Sequence, residues 1–125
     1  MKKILTLAAG AAALVLGGTL EMAEAASPNG KWKRPSTGAT YRAFSCGGGI
    51  GLKVLSHPKK KWVGKTISCG AKKVKSNQWK GQLTSTDNGQ KYTGYMTLVG
   101  ANSLKLEGCV LGGAICQGET MKRIK

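Results

Sequence analysis

The sequence predicts a small all-β domain of about eight antiparallel strands, arranged as a sandwich or an up-and-down barrel. Three observations predict it. Nineteen glycines punctuate the chain, and short runs rich in Val, Ile, Thr, Tyr and Trp lie between turn residues. After residue 25, no segment sustains the 3.6-residue apolar period of a helix, so the two-residue period of a strand fits better. Strands at such even spacing are typical of sandwiches and small barrels.

The first 25 residues have the features of a secretory signal peptide. A basic start, "MKK", precedes an apolar run, and the segment ends in Ala23-Glu24-Ala25, after which we expect cleavage. The apolar run is shorter than the roughly 20 residues that a membrane-spanning helix needs. No cysteine follows it closely to carry a lipid. We therefore expect a non-lipidated, non-transmembrane protein in a bacterial periplasm or outside the cell, with one domain over 26–125.

The candidate strands follow one another at even spacing along the mature chain: 30–34, 39–46, 50–56, 61–69, 77–84, 91–99, 103–110 and 114–124. The last four are the clearest, because a turn signal separates each pair. Asn88-Gly89 is typical of a hairpin, "GAN" separates the next two strands, and Gly112-Gly113 precedes the last. Consecutive hairpins predict a meander.

Alternation within two of these strands predicts an inner face. In 103–110, apolar Leu104, Leu106 and Val110 alternate with Lys105 and Glu107, so the even positions should point inward. In 91–99 both faces carry apolar atoms. One of these faces holds Tyr92, Gly94, Met96 and Leu98, and the register of this strand stays open.

All four cysteines, Cys46, Cys69, Cys109 and Cys116, lie after the leader. An even count in an exported chain favours two disulfides, whereas zinc sites usually show close Cys-x-x-Cys pairs, which this chain lacks. Folding the last hairpin about Gly112-Gly113 sets Cys109 opposite Cys116, at a spacing that a disulfide tolerates. This favours Cys109–Cys116 and leaves Cys46–Cys69 as the second pair.

The chain is strongly basic, with 20 Lys and Arg against 5 Asp and Glu and a net charge of +15. Such charge attracts anionic lipid or acidic polysaccharide, or else forms a solvated surface that keeps a protein soluble and monomeric. Both interpretations stay open at this stage, and we favour a monomer. The expected basic surface consists of lysines from two clusters: Lys59, Lys60, Lys61, Lys72, Lys73 and Lys75.

Groups that support catalysis are few. Because Glu21 and Glu24 lie in the leader, only three carboxylates and one histidine remain: His57, Asp87, Glu107 and Glu119. We expect His57 in an exposed loop and Asp87 bonded to its own turn. Glu107 and Glu119 lie on neighbouring strands, where they form either a paired acid site or ion pairs with lysines of the sheet. We therefore expect that the protein is not an enzyme and that it binds no metal and no cofactor.

Aromatic residues interleaved with lysines, as in "KKKWVGK" and "SNQWKGQL", also occur in barrels that bind single-stranded nucleic acid. An exported protein rarely meets such a ligand. We therefore do not expect nucleic acid as a partner, and we treat Trp62 and Trp79 as core or rim residues.

Several motifs resemble an exported bacterial family called domain of unknown function 2147, or DUF2147. The most specific are Trp79-Lys80-Gly81, "DNGQKYTG" over 87–94, "LKLEGC" over 104–109, and Cys116 with the closing "ETMKRI". The family commonly has a tryptophan where this chain has Met121. The resemblance implies an eight-stranded antiparallel barrel similar to those of lipocalins and other calycins, and so selects the barrel over the sandwich.

The resemblance also implies how the barrel closes. In calycins a Gly-x-Trp on the first strand closes one end, and an arginine of the last strand packs over the indole. Gly30, Trp32 and Arg123 match these positions. A guanidinium stacked on an indole stabilises a protein by about 0.5–2 kcal/mol.

An eight-stranded barrel has room inside for side chains or for one small ligand. We therefore expect a non-enzymatic periplasmic barrel that binds a small apolar or amphipathic molecule or an anionic envelope component, with lysines at its mouth. The alternative is a protein-interaction or inhibitor module of the cell envelope. The expected ligand-facing interior residues are Met96, Leu104, Leu106 and Val110.

Overall fold

The computed structural model describes residues 27–125, so the signal peptide predicted over 1–25 lies outside the described residues. Eight strands are present: β1 (Gly30–Lys33), β2 (Thr40–Cys46), β3 (Gly49–Ser56), β4 (Thr66–Lys75), β5 (Gln78–Thr84), β6 (Lys91–Gly100), β7 (Ser103–Val110) and β8 (Ile115–Ile124). They form a closed barrel in chain order, each antiparallel to the next, with β8 paired back to β1. The predicted all-β up-and-down barrel is confirmed.

This topology gives the barrel two different ends. One end, which we call the open end, carries the loops 34–39, 57–65, 85–90 and 111–114. The other, which we call the closed end, carries the segment 27–29 and the loops 47–48, 76–77 and 101–102. Each strand runs from one end to the other, so the position of a residue in its strand determines which end of the barrel it lies near.

The fourth strand differs from its prediction. It was expected over 61–69, whereas β4 spans Thr66–Lys75 and a 3₁₀ turn occupies Lys60–Trp62. Trp62 packs half-buried against the core from this turn. The turn is held to β3 because Gly64 donates its N–H to the carbonyl of Val54 and Val54 donates to the carbonyl of Lys65. The ring of Trp62 therefore packs against the core although the residue lies in a loop. The two-residue period of a strand does not predict such a contact.

Inward-facing side chains fill the barrel from the closed end. The largest of those that are less than 2% exposed are Trp32, Tyr41, Leu52, Leu104, Met121 and Val54. Met121 of β8 is fully buried. Burial of this apolar surface is the main driving force for folding.

Both predicted disulfides are present. Cys109 and Cys116 are direct partners across β7 and β8, with their Cα atoms 4.1 Å apart. Cys46 of β2 bonds to Cys69 of β4, with their Cα atoms 5.2 Å apart, and so passes over the intervening strand β3. Gly51 of β3 makes this possible, because a Cβ there would lie 2.6 Å from the Cβ of Cys46. Both bonds restrict the unfolded chain and stabilise the barrel by a few kcal/mol, about 3 each.

The first and last strands meet at Trp32 and Arg123, which are direct partners across β1 and β8. Trp32 is fully buried, and the Arg123 guanidinium lies 4.3 Å from its ring centroid. The indole Nε1–H donates to the carbonyl of Pro28 at 2.8 Å. At Gly30, where φ is +133°, a Cβ would lie 2.7 Å from the arginine Nη1, so a side chain there would displace the guanidinium.

Arg123 also ties the surrounding backbone together. It donates hydrogen bonds to three carbonyl oxygens: those of Ala101 at 2.9 Å, Asn29 at 2.8 Å and Ser27 at 2.9 Å. One side chain thus joins β8, the N-terminal segment and the loop between β6 and β7. This contact covers the closed end of the barrel.

We expect Arg123→Lys to lower the free energy of unfolding by about 1–3 kcal/mol, because lysine keeps the charge but loses the planar stack and most of the carbonyl bonds. Arg42→Lys is the matched control, since Arg42 is exposed on β2, and its effect should stay within about 0.5 kcal/mol. Urea unfolding followed by tryptophan fluorescence measures both. Equal stabilities for the two variants would contradict the closing role of Arg123.

Candidate functional site

A cavity of about 490 Å³ lies inside the barrel toward its open end. Its apolar walls come from both halves of the sheet: Tyr41, Ile67, Leu83, Tyr92, Leu106, Val110, Ile115 and Met121. Polar side chains also line it, and Arg34, Asp87 and Glu119 form a bonded cluster at its rim. The site is therefore apolar within and polar at its rim.

A row of glycines leaves part of the interior without side chains. Gly81, Gly94 and Gly108 are register partners across β5, β6 and β7. Leu83 occupies the space beside Gly94, where a Cβ would lie 2.6 Å from the leucine Cβ. Beside Gly108 the nearest atoms are those of Tyr92 at 3.4 Å and beyond. Gly108, which lines the cavity, therefore keeps open a volume that a larger side chain would fill.

Arg34, directly after β1, is bonded to two carboxylates at the rim. Its Nε donates to Glu119 Oε1 at 2.6 Å, and its Nη1 and Nη2 donate to the two oxygens of Asp87 at 3.1 and 3.0 Å. Glu119 also accepts hydrogen bonds from the backbone N–H and the hydroxyl of Ser36, at 2.7 and 2.8 Å. The cluster joins β8 to the loops 34–39 and 85–90.

These contacts shift the pKa values of all three groups toward their charged forms. The hydrogen bond from Arg34 lowers the pKa of Asp87, and the bond to Asp87 raises the pKa of Arg34 despite its partial burial. Burial alone would raise the pKa of Glu119, but the hydrogen bonds from Arg34 and Ser36 outweigh it, and that pKa is lowered. The cluster is therefore fully ionised at neutral pH.

His57, expected in an exposed loop, is half-buried after β3. Burial lowers its pKa, and the nearby charges of Lys59 and Arg34 lower it further. Its Nδ1 accepts the N–H of Lys59 at 2.9 Å, so the ring proton resides on Nε2, which is buried without a hydrogen-bond partner among the described residues. The imidazole is thus neutral near pH 7.

The structure decides between the two alternatives for Glu107 and Glu119 and corrects the expectation for Asp87. Glu107 and Glu119 do not form a paired acid site, because Glu119 lies opposite Leu106 on the inner face while Glu107 projects outward, 3.7 Å from Lys105. The Asp87 carboxylate bonds to Arg34 rather than to its own turn. The turn is held instead by Ser85 Oγ and Asn88 Oδ1, which accept the N–H groups of Asp87 and Gln90.

The four residues expected to face a ligand divide into two pairs. Leu106 and Val110 line the cavity, and Val110 is also 40% exposed at the rim. Met96 and Leu104 are 3% and 0% exposed within the packed core. The cavity thus occupies the part of the interior near the open end, and packed side chains fill the part near the closed end.

The expected basic surface also divides. Lys59, Lys60 and Lys61 lie in the loop 57–65 at the open end, whereas Lys72, Lys73 and Lys75 lie near the end of β4 at the closed end. Trp79 is 8% exposed and belongs to the core, with the Lys73 ammonium 5.7 Å from its ring centroid. The six lysines therefore form two groups on opposite ends.

The residues that sequence reasoning missed are Arg34 and Ser36. Arg34 stands in "KWKR" as one basic residue among several. One signal was available: Arg34 and Trp32 are two positions apart, so a strand places them on the same inward face. A charged group on that face needs a buried or rim partner.

Within 27–125, no cluster of three or more His, Cys, Asp or Glu side chains is arranged to hold a metal ion. No helix in this part of the chain has the length and apolar character needed to cross a membrane.

Comparisons with known proteins agree with this architecture. A family model described as "Uncharacterized protein conserved in bacteria (DUF2147)" matches residues 30–123. Among solved structures, the barrel is similar to protein HP1028 from the human pathogen Helicobacter pylori, described as belonging to the lipocalin family. The TM-score is 0.65 at 14% sequence identity, over 79% of this chain and 84% of that one. No curated protein matches the sequence.

Lowering the pH should selectively remove the stability that the rim cluster provides. Since the pKa of Glu119 is lower in the folded state, its contribution is present above the unfolded pKa of about 4.3 and is lost as the pH falls through the folded value. We expect Glu119→Gln to cost about 1–2 kcal/mol at neutral pH and progressively less between about pH 5 and pH 2.

Chemical denaturation across this pH range measures the effect. Glu107→Gln is the matched control, because it removes a carboxylate from the outer face. A penalty for Glu119→Gln that persists unchanged at the lowest pH would show that its ionic contacts are not the cause.

Proposed function

This chain belongs to the DUF2147 family of uncharacterised bacterial proteins, and from that premise we propose that it is an exported, non-enzymatic barrel that binds one small amphipathic molecule. The observation that carries the proposal is the cavity of about 490 Å³ with apolar walls and a polar rim. This volume falls within the range of about 300–1,000 Å³ found for small-molecule pockets. The apolar part of the ligand occupies the interior and its polar part faces the loops.

The rim favours a neutral polar head over a charged one. Arg34 is already bonded to both Asp87 and Glu119. An anionic headgroup would have to displace one of these carboxylates, and a cationic headgroup would have to compete with the guanidinium for them. Each exchange leaves one charge of the cluster without its partner, which costs more than leaving the cluster intact.

The arrangement of the ionisable groups supports a binding role rather than catalysis. Asp87 and Glu119 are engaged by Arg34, and Glu107 faces outward. The acceptor nitrogen of His57 already accepts a hydrogen bond from a backbone N–H. General acid–base chemistry needs such groups within reach of a bound molecule and free to exchange protons.

Export to the periplasm or beyond is part of the same proposal. The two disulfides support it, because disulfides form and persist in oxidising compartments. The leader 1–25 would then be removed after Ala25. The intact mass of the protein recovered from its native host tests this point, and a mass that includes the leader would contradict it. The alternative of an envelope interaction or inhibitor module stays a prediction.

We expect Gly108→Leu to weaken binding of a small apolar probe. The new side chain starts from a position where a Cβ makes ordinary contacts and extends into the cavity. Titration of the neutral fluorophore N-phenyl-1-naphthylamine against the oxidised protein should show enhancement for the wild type. For the variant we expect an affinity lower by about tenfold or more, which corresponds to about 1.4 kcal/mol.

Gly100→Leu is the matched control. Gly100 ends β6 at the closed end, and a Cβ there meets no atom within 4 Å. This variant should bind the probe as the wild type does. Absence of probe enhancement with the wild type, or equal affinities for all three proteins, would overturn the proposed cavity function.

A further inference from the structure

Exposed apolar side chains collect at the open end of the barrel. Four of the six large apolar residues that are exposed within 27–125 lie there: Val63, Val110, Leu111 and Ile115. The other two, Val74 and Val99, lie on separate strands near the closed end. Three of the four belong to the tip of the hairpin between β7 and β8, which we call the hairpin tip (Val110–Ile115).

Leu111 at the hairpin tip occupies a position that is energetically unfavourable for a leucine. The residue is 74% exposed, and its backbone has φ of +54°, a conformation that glycine or asparagine adopts far more readily than leucine. Two glycines follow it directly. A turn selected for folding alone would not need an apolar side chain here, so the leucine points to a contact outside the barrel.

The hairpin tip is also held rigidly. The Cys109–Cys116 disulfide joins the strands just below it, and Ala114 donates its N–H to the carbonyl of Leu111 at 3.2 Å. Leu111 is therefore presented to solvent from a fixed turn. A preformed apolar projection loses little conformational entropy when it is buried by a partner.

Cations lie at the same end of the barrel. Lys59, Lys60, Lys61 and Lys65 lie in the loop 57–65, and Lys91 begins β6. The acidic side chains at the rim, Asp87 and Glu119, are both paired with Arg34. The exposed charge of the open end is thus positive, and it accompanies the apolar hairpin tip.

We propose that the open end docks on an anionic phospholipid membrane. The hairpin tip enters the boundary between headgroups and acyl chains, and the lysines of the open end face the lipid phosphates. Apolar insertion and electrostatic attraction are the two contributions that hold peripheral proteins on such surfaces. A protein partner would supply fixed carboxylates at particular places, whereas five lysines spread over a loop and a strand end suit a laterally fluid anionic surface.

This inference goes beyond the proposed ligand binding and does not require the cavity to be occupied. One consequence rests on the proposed function. With the open end against the membrane, an amphipathic molecule dissolved in the lipid would reach the cavity without crossing bulk water.

Vesicle flotation tests the docking surface. We expect the wild type to float with phosphatidylcholine vesicles that contain phosphatidylglycerol, to be released by salt, and to bind pure phosphatidylcholine weakly. Leu111→Asn removes the apolar side chain and tolerates the same backbone conformation. We expect it to weaken vesicle binding by about tenfold, whereas Val99→Asn, which changes another exposed apolar residue near the closed end, should not.

A pair of double variants tests the charge. Lys60→Gln with Lys61→Gln removes two cations from the open end, and Lys72→Gln with Lys75→Gln removes two from the closed end. Since each lysine near an anionic surface strengthens binding by about fivefold, the open-end pair should weaken flotation by about tenfold or more. The closed-end pair changes the net charge equally and should have a much smaller effect. A thermal melt of each variant checks its fold.

Equal losses of vesicle binding in the open-end and closed-end double variants would overturn the proposal. It would also be overturned if Leu111→Asn floated with vesicles as well as the wild type does. Binding to a soluble polyanion such as heparin without vesicle binding would overturn it in favour of a polysaccharide. Titration with N-phenyl-1-naphthylamine in vesicle-free buffer separates the two proposals. Leu111→Asn should leave the affinity for this probe unchanged, so loss of membrane docking and loss of cavity binding are observed independently.

Discussion

The closure of β8 onto β1 is the constraint on which the barrel depends. β1 is the shortest of the eight strands, with four residues, and only Lys31, Trp32 and Lys33 pair with β8. A seam this short gains little from backbone pairing alone. Two arginines reinforce it from opposite strands and at opposite ends. Arg123 of β8 packs over Trp32 of β1, while Arg34 beyond β1 bonds to Glu119 of β8.

The two arginine contacts differ in kind, and the difference determines where the cavity lies. At the closed end, the guanidinium of Arg123 stacks over a buried ring and bonds to backbone carbonyls, so packed groups cover this end. At the open end, Arg34 holds the seam through an ion cluster at the rim, which leaves the space beneath it unfilled. The cavity therefore lies at the end where polar contacts, rather than packed side chains, secure the seam.

The fold followed from local signals, because alternation and turn residues act over a few positions. The hairpin at Gly112-Gly113 and the pairing of Cys109 with Cys116 are of this kind. The same register already places Glu107 opposite Gly118 and hence Glu119 on the other face, so the paired acid hypothesis conflicted with the predicted hairpin itself. The rim cluster could not be predicted from such local signals, because Arg34 lies 53 residues from Asp87 and 85 from Glu119 in the sequence. Only the closed barrel brings these three side chains together.

The few acidic groups of this barrel are all paired, which leaves a cationic surface around an apolar interior. Asp87 and Glu119 bond to Arg34, and Glu107 lies beside Lys105, so each acidic side chain of the described residues has a cationic neighbour. Mutual repulsion among the remaining cations opposes a compact state, and the two disulfides offset this cost by restricting the unfolded chain. A molecule in the cavity would be recognised mainly by hydrophobic burial, whereas a partner on the surface would be selected by its negative charge.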